Sequence, residues 1–448
     1  MNQERFEAER KNVSTESGEG LDNYHARASY IERIYIENVG AIARLELRPS
    51  ESISPTTPAF ALLGNNGVGK STVLKAIALA MAGEKYAKRL RVSSNDLLAK
   101  TAQSGRVRIK TSDGREDIVM SLKRGRRLTF NLDSSRALVL AYGATRLLPR
   151  GRHKPKAGMR HAKIDNLFDP FLPVTDVNSW VAGLSGDKLE EANRVLASLL
   201  PDGSSLQVIW DEQKGKMLVS HGDESPMDVH DLSDGYKSMV AVAADILYVM
   251  NEAGYHSMES AQGIVLIDEM GNHFHPSWRL RTVLALRRAF PYIQFIFTTH
   301  DPLCLRGLEQ GEVAVLRRDR SGQVYALEDL PAVNRLRVDQ LLTSEHFGLQ
   351  STVDPMEQQV VERYEELAES PTLSEEEREE LRLLTARLTE SQYLGSTRRE
   401  RMMLKLLDME DVEDAVNSVG TVKAGQLADE TVDKLRKVLR AVVPRSDA

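Results

Sequence analysis

The 448-residue sequence predicts an α/β fold built on a mixed sheet, and three observations carry that expectation. Residues Gly64-Asn65-Asn66-Gly67-Val68-Gly69-Lys70-Ser71 fit the spacing G-x-x-x-x-G-K-[ST] of a phosphate loop. An apolar run at 60–63 precedes them as a strand would. An Ala- and Leu-rich stretch at 72–81 follows as a helix would. Two further apolar runs, 264–267 and 293–297, have the length of buried strands and end in polar residues.

The remaining elements can be placed in order. Residues 1–27 are polar and are expected to be a flexible N-terminal segment. Residues 30–38 and 42–47 alternate apolar and polar, as two half-buried strands do. Between 106 and 132 three short strand-like runs, 107–109, 118–120 and 128–130, are punctuated by Gly105, Gly114 and Gly125, which predicts an antiparallel meander. Residues 137–141 read as a buried strand ending in Tyr142-Gly143. Helices are expected over 185–200, 233–250 and 278–290, and strands over 206–210, 217–220 and 312–316. Residues 355–390 hold eleven Glu and four Arg, with leucines at helical spacing. Ser374 before Glu375-Glu376-Glu377 resembles a capped helix start, so this segment predicts a helical hairpin. The expected organisation is a head over 28–330 and a helical extension over 331–448.

Composition narrows the function. A hydrophobic content of 41% and a charged content of 28% are those of a globular protein. A net charge of −6 means that any nucleic-acid contact must be a local patch. One candidate lies at 146–163, where Arg146, Arg150, Arg152, Lys154, Lys156, Arg160 and Lys163 occur with no acid, and four Pro and Gly residues predict a loop. That run contains no aromatic residue for base stacking. The single cysteine, Cys304, excludes an internal disulfide and favours a reducing compartment. No apolar run approaches the ~20 residues that span a bilayer, and residues 1–12 lack the apolar core of a signal peptide. A soluble cytoplasmic protein is expected.

The motifs specify chemistry. Glycines at 64, 67 and 69 let backbone N–H groups turn toward phosphate oxygens, and the helix N-terminus adds favourable potential. Gly64, Asn65, Asn66, Gly67, Val68, Gly69, Lys70, Ser71 and Thr72 are therefore the expected ATP-binding segment. Lys70 can reach the β- and γ-phosphates and Ser71 can ligate Mg²⁺. The run at 264–267 ends in Asp268-Glu269, the first suited to a Mg²⁺ ligand and the second to polarising an attacking water. The strand at 293–297 ends in Thr298-Thr299-His300, where a histidine could contact the γ-phosphate and orient that water. Leu232-Ser233-Asp234-Gly235 opens a helix, a second place where free N–H groups meet an anion.

Taken in that order, the phosphate loop, Leu232 to Gly235, Asp268-Glu269 and His300 resemble the ABC-type ATPase head of the SMC and RecF group, over roughly residues 28 to 320. The resemblance implies that two heads sandwich two ATPs, with Ser233 and Gly235 of one copy binding the γ-phosphate held by the other. It implies a homodimer or higher homo-oligomer. The family's Q-loop glutamine has no counterpart; Tyr142-Gly143-Ala144-Thr145-Arg146 stands near its place. His273-Phe274-His275-Pro276, followed by Trp278, resembles the loop that crosses to the partner head in the defence and repair branch. The segments Tyr142 to Arg146, Asn166-Leu167-Phe168-Asp169-Pro170, Val177-Asn178-Ser179-Trp180 and Leu342-Thr343-Ser344-Glu345-His346-Phe347-Gly348-Leu349 resemble ATPases of bacterial anti-phage operons, the Septu and retron-associated group. That likeness implies a separate HNH-type nuclease partner controlled by ATP-dependent head dimerisation. A RecF-like repair ATPase clamping DNA directly is the alternative. A nuclease site of the chain's own around His273 and His275 is the weaker third reading.

Overall fold

A computed structural model describes residues 30–49, 59–149, 156–159, 161–184, 186–199, 206–211, 213, 215–221, 225–253, 262–349, 352, 354–368, 370 and 374–390. The N-terminal segment 1–27 and residues 391–448 lie outside the described residues. The chain divides into two compact units, residues 1–350 and 351–448.

Alternating sequence builds the first sheet. β1 (Ile31–Val39) and β2 (Ile42–Leu47) form a hairpin in which Ile36 faces Leu45 and Val39 faces Ile42. After β3 (Phe60–Gly64), which joins another sheet, β4 (Ser104–Thr111), β5 (Ile118–Lys123) and β6 (Thr129–Phe130) complete the order β2-β1-β4-β5-β6. Every pairing is antiparallel. Along β4 every second residue is buried, so Val107 and Ile109 join the core while Arg106, Arg108 and Lys110 stay outside.

Continuous apolar runs build the second sheet. β7 (Val139–Tyr142), β8 (Ala162–Lys163), β12 (Gly263–Ile267), β13 (Ile293–Thr298), β14 (Val313–Arg318) and β15 (Val324–Leu327) join β3 in the order β15-β14-β3-β13-β12-β7-β8. All neighbours are parallel except β14 and β15, which makes the sheet mixed. The three central strands β3, β13 and β12 are covered on both faces, as parallel strands must be. Their period of two divides the core. Phe60, Leu62, Ile264, Leu266 and Ile296 face one apolar cluster, and Ala61, Leu63, Val265, Ile267, Phe295 and Phe297 face the other. The first cluster is closed by α1 (Lys70–Leu90) and the antiparallel sheet. The second is closed by α2 (Asp187–Leu199), α3 (Asp234–Glu252) and α4 (Thr282–Ala289). A third, small antiparallel sheet comprises β9 (Leu206–Asp211), β10 (Lys216–His221) and β11 (Met227–Asp228).

Three local expectations change. The helix expected over 72–81 runs on to Leu90 across a kink at Gly83, whose φ is 82°. A Cβ there would lie 2.9 Å from the Leu132 carbonyl oxygen, so glycine admits the backbone of the loop that follows β6. The helix expected over 278–290 is broken into Pro276–Arg279 and α4. The basic run 146–163 is not one exposed loop. Lys163 lies on β8 with Nζ on the fully buried Asp245 carboxylate, and Arg146 is also buried. Arg150, Arg152, Lys154 and Arg160 lie outside the described residues. Cations folded inward cannot bind a nucleic-acid backbone, so the patch loses two of its seven members at least.

The second unit holds α5 (Pro355–Ala368) and α6 (Glu375–Glu390). The hairpin is pinned by Arg363, whose Nε and Nη2 donate to the two carboxylate oxygens of Glu380 at 3.0 and 2.9 Å. Ser374 and Glu377 close a capping box: the Ser374 N–H reaches Glu377 at 2.8 Å, and the Glu377 N–H returns to the Ser374 hydroxyl at 3.2 Å.

Candidate functional site

The six parallel strands, β14, β3, β13, β12, β7 and β8, have their C-terminal ends at one edge of the mixed sheet. Gly64 leaves β3 with φ 137°, and a Cβ there would stand 2.3 Å from the Leu316 carbonyl oxygen of β14. Only glycine fits. Gly67 and Gly69 also have positive φ, 76° and 109°. Asn65, Asn66 and Gly67 are exposed, Val68 is buried, and the Arg318 guanidinium at the end of β14 holds the Gly67 carbonyl at 2.6 Å. Gly69 is the N-cap of α1 and no side chain caps it. The first-turn N–H groups of Lys70, Ser71 and Thr72 therefore remain available to an anion.

Lys70 is only 5% exposed, and its Nζ donates to the carbonyls of Gly64 at 2.8 Å and Asn65 at 3.2 Å. Burial lowers its pKa, with the Glu269 and Asp268 carboxylates pulling the other way. A buried ammonium held by neutral carbonyls beneath free N–H groups suits a polyphosphate. Lys70→Ala is expected to weaken ATP affinity by at least about tenfold, since a charge-assisted hydrogen bond contributes about 1.5–3 kcal/mol. Calorimetric titration of ATP checks it, and unchanged affinity would contradict the assignment of this loop.

The acid pair sits beside it at the end of β12. Asp268 Oδ1 accepts from the Thr298 hydroxyl at 2.6 Å, and the same hydroxyl accepts the Glu269 N–H at 2.8 Å. Asp268 Oδ2 has no hydrogen bond among the described residues, which leaves a carboxylate oxygen free for a cation. Glu269 takes φ 50°, an uncommon conformation for a residue with a side chain. Its Oε1 stands 2.9 Å from His300 Nε2, and that nitrogen stands 3.1 Å from Lys70 Nζ. One nitrogen cannot serve both neighbours at once. Protonated, it donates to Glu269; unprotonated, it accepts from Lys70. Lys70, Asp268, Glu269 and His300, which span 230 positions of sequence, thus share one edge.

Three contributors escaped the sequence reading. Thr298 bridges the two acids, Arg318 braces the loop, and Arg146 crosses from the end of β7. Arg146 is 5% exposed; its Nη1 donates to the Asp268 carbonyl at 3.1 Å, its Nη2 to the Glu269 carbonyl at 3.2 Å and its Nε to the Ser238 hydroxyl at 3.0 Å. Its place in a run of cations concealed it. The available signals were its position four residues past a buried strand and its place in the Tyr142 to Arg146 segment singled out in the sequence.

Neither Ser233 nor Gly235 makes a hydrogen bond to the phosphate loop among the described residues. Ser233 is exposed at the N-cap of α3 and its side chain makes no capping bond. Gly235 is buried; a Cβ there would meet the His273 carbonyl oxygen at 2.6 Å, so α3 starts directly against the loop after Glu269. His275 caps the one-turn helix at Pro276 through its Nδ1, which is a structural use of that side chain. Among the described residues no group of three His, Cys, Asp or Glu is placed to hold a metal ion.

Two family profiles match the sequence that builds this edge. One, described as "AAA domain", covers residues 33–165, and one described as "AAA domain, putative AbiEii toxin, Type IV TA system" covers 145–306. The fold over these residues is that of an AAA-type P-loop NTPase. Among curated relatives it is 35% identical over 420 residues to the Septu protein PtuA of Bacillus mycoides, which is 93% of this chain and 57% of that protein. It is 34% identical over 102 residues to the retron Vc95 probable ATPase of Vibrio cholerae, 22% of this chain and 19% of that protein. The chain thus spans little more than half the length of the Bacillus relative. Among solved structures, the SMC head domain from Thermotoga maritima covers 66% of this chain and 98% of its own, with a TM-score of 0.40 and 18% identity. Within the described residues of the ATPase domain and the second unit, no helix is long and apolar enough to cross a membrane.

Proposed function

We propose that the chain binds and hydrolyses ATP with Mg²⁺, and that ATP closes two copies on one another to control a separate nuclease in anti-phage defence. The observation that carries the hydrolytic part is the convergence of Lys70, Asp268, Glu269 and His300 on one sheet edge. The loop N–H groups and Lys70 bind the phosphates. Ser71 and Asp268 are the residues suited to hold Mg²⁺, which when bound neutralises charge on the β- and γ-phosphate oxygens. Glu269 accepts the proton of the attacking water, and His300 orients that water and senses the terminal phosphate. The uncommon φ of Glu269 serves this role by aiming its carboxylate back across the loop.

The dimer rests on Ser233. It is exposed, and the N–H groups of its helix start lack a side-chain cap, as an anion carried by a second copy requires. Similarity to a Septu protein and to a retron ATPase supports the defence setting.

The test is a native pull-down of Glu269→Gln protein with ATP, read by native mass. A nuclease held in fixed stoichiometry supports the reading. An ATP-dependent dimer that retains DNA and no protein replaces it with a DNA clamp. Ser233→Arg is expected to abolish the ATP-bound dimer while leaving the melting temperature and ATP affinity of the single copy in place. Dimers that persist in light scattering would remove Ser233 from the interface.

A further inference from the structure

The ATPase chemistry proposed above needs the Glu269 carboxylate held in one place, yet Glu269 sits in a backbone conformation that L residues avoid. Something must over-determine it. Four contacts act on this residue, one of them the turn bond from the Asn272 N–H to its carbonyl at 3.1 Å. Its N–H is tied to Thr298 Oγ1, its carboxylate meets His300, and its carbonyl is held by Arg146 Nη2. Of these, only Arg146 also holds the preceding carbonyl, that of Asp268. One planar guanidinium therefore grips both carbonyls of the acid pair, a fork geometry no other side chain reproduces.

The same guanidinium reaches a third element. Its Nε donates to Ser238 Oγ, 5% exposed on α3, the helix that starts at Ser233. Arg146 is thus the side chain through which the acid pair and that helix are joined. Its partners are three main-chain carbonyls, those of Asp268, Glu269 and, at 3.5 Å, Gly143, and a hydroxyl, so it forms no ion pair in direct contact. Burial lowers its pKa to about 10, against the opposing pull of Asp268 and Glu269. A guanidinium kept buried on neutral acceptors is costly, and the contacts it makes point to placement of the acids.

We propose that Arg146 is a positioning residue for ATP hydrolysis: it fixes the Glu269 carboxylate through the Asp268 and Glu269 carbonyls, and through Ser238 it makes that placement depend on the position of α3. The proposal rests on the reading of Glu269 as the base. Where the related family is expected to carry a glutamine after this strand, the present chain would use an arginine acting from behind the acids.

The test is a double-mutant cycle on the full chain, with kcat and KM for ATP, ATP affinity by calorimetry and melting temperature measured for each protein. Arg146→Lys keeps the charge and loses the fork. It is expected to lower kcat by roughly 10- to 100-fold with ATP affinity changed less than about threefold. In the Glu269→Gln background the same change is expected to lower the residual rate less than about twofold, because a group acting through Glu269 has nothing left to position. Ser238→Ala removes one of the four contacts of Arg146 and is expected to lower kcat by about two- to fivefold, again only when Glu269 is present. If Arg146→Lys does not fold, the Ser238→Ala cycle decides alone. Equal losses with and without Glu269, or losses of affinity and kcat together, would make Arg146 a structural prop and overturn the proposal. Full turnover by Glu269→Gln itself would instead overturn the assignment of the base, a distinct outcome.

Discussion

Glu269→Gln is expected to slow ATP hydrolysis by on the order of 10²-fold or more while leaving ATP affinity close to that of the parent. The amide keeps the size of the side chain and can still meet His300 Nε2, 2.9 Å away in the parent. It cannot accept a proton from water at neutral pH. Binding should persist because the loop N–H groups and Lys70 lie between β3 and the first turn of α1, and among the described residues the hydrogen-bonded link from them to Glu269 runs through the His300 imidazole. Steady-state phosphate release together with nucleotide titration separates the two. Normal turnover would exclude Glu269 as the base. A parallel loss of affinity would mean that its charge sets the state of the Lys70–His300 pair.

Asp245→Ala is expected to destabilise the domain by about 3–5 kcal/mol, the cost of breaking a buried charge pair from one side. Asp245 lies on α3 and is fully buried. Its carboxylate accepts the Tyr142 hydroxyl at 2.9 Å, the Thr175 N–H at 2.8 Å, the Thr175 hydroxyl at 2.5 Å and the Lys163 ammonium. Without it, three neutral donors lose their acceptor and the Lys163 ammonium keeps only the Thr175 hydroxyl, 2.9 Å away, in a buried setting. Burial, with the adjacent Asp245 charge, already holds the Tyr142 pKa well above its ordinary value, so the phenol cannot supply a compensating negative charge. Chemical denaturation measures the loss. Pairing Asp245→Leu with Lys163→Met is expected to recover most of it, since an apolar pair needs no desolvated partners. A single substitution costing under about 1 kcal/mol would show that water enters this network.

The phosphate loop was legible because its geometry admits few residues: Gly64 touches another strand's carbonyl, and Gly67 and Gly69 need positive φ. Asp268, Glu269 and His300 were legible for a related reason. A strand covered on both faces is written as an unbroken apolar run, so the first polar residues after it mark the sheet edge. Arg146 was not legible. Three of its four partners lie 92, 122 and 123 positions away, and a guanidinium that folds inward looks, in one dimension, like one that folds outward. The short strands β8, β11 and β15 left no periodicity because two to four residues cannot express one. The kink at Gly83 was hidden for the opposite reason: the apolar pattern of α1 continues on both sides of it.

The order in which strands enter the mixed sheet bears on how such chains change length over time. β3, β7, β12 and β13 lie side by side, yet β3 and β7 are separated in sequence by α1 and three strands of the antiparallel sheet, and β7 and β12 by β8, α2, the small three-stranded sheet and α3. Each interval returns to the sheet in the same direction. Material added at the surface of an interval moves none of the strand ends, and lengthening a loop costs only a logarithmic increment of entropy. Insertions within the intervals are therefore tolerated, whereas a one-residue change inside β3, β12 or β13 shifts the edge residues and inverts both faces of the strand. Differences in length between this chain and its larger relatives should concentrate between these strands and beyond them, with the catalytic edge held at constant spacing from each strand end.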